Sequence, residues 1–307
     1  MQTITTTNIY TPNPLADYRF YTPLPDGRAL VSCHAQNTVL VVDGDGNVLR
    51  QLETEPTFSK PEGIAVNSKG DIFVVDRYNH CIHQYDKDLV HQLTILIQST
   101  ETSGLNQPVG IAISAINDWI YVADNENHRV VVLDSEGKYV TTLGKGAGQE
   151  PGQLYCPCGI ALYTHPTHGE LVIVSEWGGG RVQVFKASSG DLFAIYGGVP
   201  HAHHVVVDAR GVIHVTEYSS RRIKRFSIDG DQSEEQEANV VSLASGDSLR
   251  VERHRVVKVG MAGVGKKRKA MSQADAQTEE EEAERQQKER DEFVKCFFRQ
   301  SAGDPCK

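Results

Sequence analysis

The chain of 307 residues is 39% hydrophobic and 23% charged, with six cysteines and a net charge of −9. No apolar run approaches the roughly 18 residues a membrane span needs, and the opening MQTITTTNIYTPNPL lacks the charged start and apolar stretch of a secretory leader. Cysteines this thinly spread do not make a disulfide scaffold, so a soluble, intracellular protein with reduced thiols is expected. Its first 230 residues carry 17 Lys and Arg against 24 Asp and Glu, a poor general match for nucleic-acid phosphates.

Taken in order, the chain repeats itself. Arg28-Ala29-Leu30-Val31-Ser32-Cys33, followed by Gln36-Asn37-Thr38-Val39, is a first, weak copy. The second is clear: Pro61-Glu62-Gly63-Ile64-Ala65-Val66, then Asp71-Ile72-Phe73-Val74-Val75-Asp76, then Asn79-His80-Cys81-Ile82. Pro108-Val109-Gly110-Ile111-Ala112-Ile113, Trp119 to Asp124 and Asn127-His128-Arg129-Val130 form the third. A fourth runs from Pro157-Cys158-Gly159-Ile160-Ala161-Leu162 through Leu171 to Glu176 and Arg181-Val182, and a weaker fifth from His204-Val205-Val206-Val207 through Val212 to Glu217 and Arg222-Ile223. Gly63, Gly110, Gly159 and His204 are spaced 47, 49 and 45 residues apart, too long for helical repeats and right for a four-stranded propeller blade. Within each copy, short runs of Val, Ile, Tyr and Phe alternate with turn residues such as Ser68-Lys69-Gly70 and Asp134-Ser135-Glu136-Gly137, the pattern of meandering strands.

These motifs resemble the NHL-repeat family of β-propellers over about residues 20–230, most closely between Phe58 and Gly148. The resemblance implies an all-β ring, usually of six blades of four antiparallel strands. Five blades are readable; a sixth would have to be assembled from Ile4–Tyr10 and strand-like sequence within Val240–Val259. The expected organisation is a propeller over 1–260, a basic linker over 261–277 and a charged helical tail over 278–307. Lys266, Lys267, Arg268 and Lys269 resemble a nuclear import signal, and Glu281 with Arg285 and Glu284 with Lys288 support a helix at i,i+4 spacing.

Loops on one rim of a rigid ring are where binding normally sits. That rim is expected to gather His34, Arg77, Tyr78, His80, Asn125, Glu126, His128, Trp177, Tyr218 and Arg221, with Glu62, Val109, Cys158, His201 and His203 from the loops leading into the inner strands. Tyr78, Trp177 and Tyr218 recur just after the strand-closing acid, and aromatic and Arg side chains are common anchors of binding surfaces. The acids Asp76, Asp124, Glu176 and Glu217 are expected to accept backbone hydrogen bonds in the turns that follow them. His80 and His128 recur with the repeat, which blade architecture explains better than a single active site. Cys156-Pro157-Cys158 reads as structural.

The reading that follows is a non-catalytic platform whose rim holds a protein or peptide, with no membrane partner and no cofactor. Two alternatives carry different chemistry. The resemblance extends to amidating lyases that bind zinc through channel histidines and to lactonase-type propellers that bind calcium; His201, His203 and His204 are the metal candidates for a metal-dependent lyase or hydrolase at the channel mouth, although neighbours in a strand point to opposite faces, which would split His203 from His204. The other is single-stranded RNA binding by Arg77, Arg129, Arg181, Arg221, Arg222, Lys224 and Arg225 with the rim aromatics.

Overall fold

The computed structural model describes residues 18–97, 103–220 and 222–229, together with the strands at 236–243 and 249–256. The chain forms an all-β propeller of five antiparallel sheets, each a meander in sequence order. Blade 1 holds β1 (Tyr18–Pro23), β2 (Ala29–Cys33), β3 (Thr38–Val42) and β4 (Val48–Gln51). Blade 2 holds β5 (Pro61–Val66), β6 (Ile72–Asp76), β7 (Cys81–Tyr85) and β8 (His91–Ile95). In blade 3 these are β9 (Pro108–Ile113), β10 (Ile120–Asp124), β11 (Arg129–Leu133) and β12 (Tyr139–Leu143). Blade 4 consists of β13 (Pro157–His165), β14 (Gly169–Glu176), β15 (Arg181–Lys186) and β16 (Leu192–Tyr196). Blade 5 has β17 (Ala202–Val207), β18 (Val212–Glu217) and β19 (Arg222–Ser227), to which β20 (Gln236–Leu243) and β21 (Leu249–Val256) add as a hairpin.

That hairpin joins through two residue pairs only, Arg222 with Ser242 and Ile223 with Val241. The strand composition read in Leu249–Glu252 therefore does form a strand, on the edge of the fifth sheet. Five blades are formed among the described residues. Ile4–Tyr10, expected to complete a sixth, lies outside them, as do the basic cluster at 266–269 and the helix expected from 278. Among the described residues no helix is long and apolar enough to cross a membrane.

The second strands of blades 1 to 3, Ala29–Cys33, Ile72–Asp76 and Ile120–Asp124, are unbroken buried runs, covered on both sheet faces by neighbouring blades, whereas β18 and β19 of blade 5 are only partly buried. The core accordingly falls into layers. Leu30, Val39 and Val41 of blade 1 pack on Ile64, Val74 and Tyr85 of blade 2. Phe73, Val75 and Ile82 pack on Ile111, Val122 and Val131, Tyr121 and Val132 on Ile160 and Val174, and Ile173 and Val184 on Val205 and Val215. Turns are fixed by short polar side chains: Asp43, Asn67, Asp134 and Asp208 each accept backbone N–H groups two and four residues on, the self-capping that makes Asn and Asp turn residues.

The repeated glycine sets how close the inner strands come. A Cβ on Gly63 would stand 2.7 Å from the Val109 carbonyl oxygen, one on Gly110 2.4 Å from that of Cys158, and one on Gly159 2.4 Å from that of His203. Strand register assigns Phe20 and His204 to the same slot in blades 1 and 5. There the slot carries a ring, and the two rings meet, centroids 4.1 Å apart. Side chains thus join blade 5 to blade 1 where glycine joins the others.

Candidate functional site

The second residue of each inner strand lies next to this slot, and the five are Arg19, Glu62, Val109, Cys158 and His203. Four of them, Glu62, Val109, Cys158 and His203, are buried. Glu62 Oε1 is 3.4 Å from both His34 Nε2 and an Arg77 guanidinium nitrogen, and among the described residues its Oε2 has no hydrogen-bond partner. Burial pushes the Glu62 carboxyl up, against the opposing pull of Arg19, His34 and Arg77. Burial also pushes the Cys158 thiol up to about 12.

On the rim beside blades 4 and 5 the aromatics cluster. Trp177 lies 5.1 Å from Tyr218, 4.9 Å from His201 and 5.7 Å from His203, and the Arg19 guanidinium sits over Tyr218 at 5.8 Å. Tyr218 remains 49% exposed, so one face of the cluster is open to a ligand. Tyr78 is exposed too, with Arg77 over its ring at 5.7 Å. The structure therefore brings Arg77, Trp177, Tyr218, His201 and His203 to the same end as Glu62 and His34. Arg221 lies outside the described residues.

Other expected rim residues hold blades together. His80 and His128 take left-handed backbone conformations, with φ of 56° and 55°, and each ring Nδ1 accepts a backbone N–H from the next blade, Gln107 at 3.0 Å and Cys156 at 3.1 Å. Asn37 does the same for Lys60 at φ 52°. Asn125 donates to the Pro157 carbonyl across the same junction. Glu126 is exposed and its backbone N–H is held by Asn106.

The strand-closing acids are structural in a way the sequence did not indicate. Their backbone donors come from the loop leading into their own blade rather than from the following turn: Ser59 to Asp76, Asn106 to Asp124 and Tyr155 to Glu176. Each acid also has its own basic partner, Asp124 with Arg129 at 2.7 Å, Glu176 with Arg181 at 2.9 Å, Glu217 with Lys224 at 2.8 Å and Asp76 with His83 at 3.1 Å. In blade 1, where Cys33 stands in the acid's place, Thr38 stands in the cation's. Three side chains of the proposed RNA contact set, Arg129, Arg181 and Lys224, are thereby committed within the fold.

The family model for the NHL repeat matches residues 58–85 and 105–133. The chain carries NHL repeats. Rat (Rattus norvegicus) peptidylglycine alpha-amidating monooxygenase is 25% identical over 51% of this chain and 17% of its own length. Protein brain tumor of Drosophila melanogaster is 29% identical over 41% of this chain and 12% of its own. The matches span less than a fifth of these relatives, one of which is named as an enzyme. Among solved structures, a nidogen/laminin complex superposes with a TM-score of 0.58 at 15% identity, over 70% of this chain and 77% of the other, which shows the shared fold.

The residues of this NHL propeller do not fit a channel zinc centre of three histidines. His201 Nδ1 pairs with Ser219 Oγ at 2.6 Å, while His203 Nδ1 and His204 Nδ1 contact each other at 2.8 Å. The expectation that strand alternation would separate His203 from His204 fails because the register shifts between Ala202 and Val205; such a bulge re-aims side chains and leaves the rings 4.5 Å apart. The equivalent positions in the other blades are Arg19, Glu62, Val109 and Cys158, with a single carboxylate among them. Arg19 and Phe20 escaped the sequence reading because β1 carries no Pro-x-Gly motif; only its register with Cys33 identifies them.

Proposed function

We propose that this NHL propeller is a non-catalytic binding platform that holds a protein or peptide segment across the rim formed by Trp177, Tyr218, His201 and Tyr78, above the Arg19, Glu62 and Arg77 cluster. The observation that carries the reading is the juxtaposition of an aromatic cluster, one ring of it half exposed, with a charged group at one end of a rigid scaffold. Aromatic rings supply large contact area at low entropic cost, and Arg beside them is the usual composition of an energetic hot spot. RNA binding is less well supported, since four of the seven basic side chains it needs, Arg77, Arg129, Arg181 and Lys224, are paired with buried acids.

Selection of a displayed random peptide library on the purified chain tests this. Peptides enriched on the wild type should bind Tyr218→Ala at least about tenfold more weakly, a typical hot-spot loss. Enrichment of nothing, or equal binding to wild type and variant, would contradict the reading.

A further inference from the structure

Blade 2 departs from the other blades at two neighbouring buried positions. Arg129, Arg181 and Arg222 open the third strand of blades 3, 4 and 5, whereas blade 2 has Cys81. Two residues on, blade 2 carries His83 where blades 3, 4 and 5 have Val131, Gln183 and Lys224. Both changes face Asp76. His83 Nε2 is 3.1 Å from Asp76 Oδ2 and 3.6 Å from Cys81 Sγ, and the three donor atoms lie within 4.8 Å of one another. Asp76 and His83 are fully buried and Cys81 is 1% exposed.

We infer that Asp76, Cys81 and His83 form a structural zinc-class site inside blade 2. Zinc's usual bond lengths of about 2.0–2.3 Å give tetrahedral edges of about 3.3–3.6 Å; the N–S separation of 3.6 Å matches, and the O–N separation of 3.1 Å falls just inside and opens slightly on binding. Carboxylate, imidazole and thiolate together suit zinc better than a hard cation such as calcium or magnesium. The outer contacts suit a metal-bound histidine: His83 Nδ1 lies 3.0 Å from the hydroxyls of both Thr54 and Thr94 and 3.3 Å from His91 Nε2, and in the tautomer that carries the proton on Nδ1 these groups accept from it and leave Nε2 to ligate. On binding, Cys81 releases its thiol proton and the neutral imidazole keeps its single proton on Nδ1. The site is separate from the rim and serves the blade: a dication replaces the guanidinium that neutralises the equivalent acid in blades 3 and 4. An ion pair of Asp76 with protonated His83 is the metal-free competitor, and it leaves Cys81 without a role.

The full chain, expressed in zinc-supplemented medium and desalted, should carry one zinc ion per chain by elemental analysis. The same protein from cobalt medium should show a thiolate-to-cobalt charge-transfer band. Cys81→Thr, which copies blade 1, should lose both signals, while Cys156→Ser keeps them. X-ray absorption of the wild type at the zinc edge should give one sulfur among light-atom neighbours, a readout that stands even where a variant fails to fold. Metal-free wild type, metal undiminished in Cys81→Thr, or a zinc shell without sulfur would each overturn the assignment.

Discussion

The pairing of Asp124, Glu176 and Glu217 each with its own Arg or Lys makes a quantitative prediction at Asp124 and Arg129. Asp124 is fully buried and accepts from the Asn106 backbone N–H, the Asn127 amide and Arg129. The Arg129 side chain is 14% exposed and also donates to the carbonyls of Ser103 and Gly104. Arg129→Thr leaves a carboxylate buried without its counter-charge, at a cost of about 3–5 kcal/mol. Asp124→Cys strands the Asn106 N–H and weakens the hold on Arg129, which costs about 2–3 kcal/mol. The double variant, Asp124→Cys with Arg129→Thr, installs the Cys33 and Thr38 pair that blade 1 already tolerates. Neither charge then remains unpaired, so its cost should fall short of the summed single costs by about 2 kcal/mol or more. Urea denaturation of the four proteins gives the cycle directly. Additive costs, within about 0.5 kcal/mol, would refute the claim that acid and cation stabilise each other.

Two further predictions concern the ring itself. Gly110→Ala should destabilise severely or prevent folding, because its Cβ would sit 2.4 Å from a backbone oxygen, whereas Gly197→Ala, with nothing within 4 Å, should shift the thermal midpoint little; equal shifts would contradict the close approach of the inner strands. Burial, reinforced by the Arg19 charge, depresses His204 to about 4. The unfolded chain therefore takes up a proton that the folded one refuses as pH falls below about 6.5, and stability should drop by about 2 kcal/mol between pH 7 and pH 5 from this group. His204→Gln should flatten that slope, as measured by urea midpoints across the range; an unchanged slope would argue against a buried neutral imidazole at the junction of blades 5 and 1.

Much of this architecture is legible in the sequence because a propeller repeats one physical solution. Gly63, Gly110 and Gly159 mark the close approach, the turn residues mark every reversal, and the period separates blades from helical repeats. His80 and His128 recur with the repeat and also fall in the expected rim set; their use as acceptors from the next blade depends on a left-handed turn that spacing alone does not reveal. Strand order puts Tyr78, Trp177 and Tyr218 just after the strand-closing acid, and the structure brings Trp177 and Tyr218 together there. Legibility failed where blades deviate: β1 and β17 fill the glycine slot with Phe20 and His204, a bulge overrides simple alternation at His203, and the partners of the buried acids lie in loops with no recurring motif. The Asp76, Cys81 and His83 cluster was equally hidden, since its members look unremarkable until β6 and β7 are paired in register.

The central claim is that the rim of this NHL propeller binds through its aromatic cluster. The direct measurement is the affinity of a library-selected peptide, by titration calorimetry, for the wild type and for Trp177→Ala and Tyr218→Ala, with circular dichroism establishing that each variant keeps its strands. Loss of about tenfold or more in affinity for both folded variants is the predicted result. Unchanged affinity in both would contradict it.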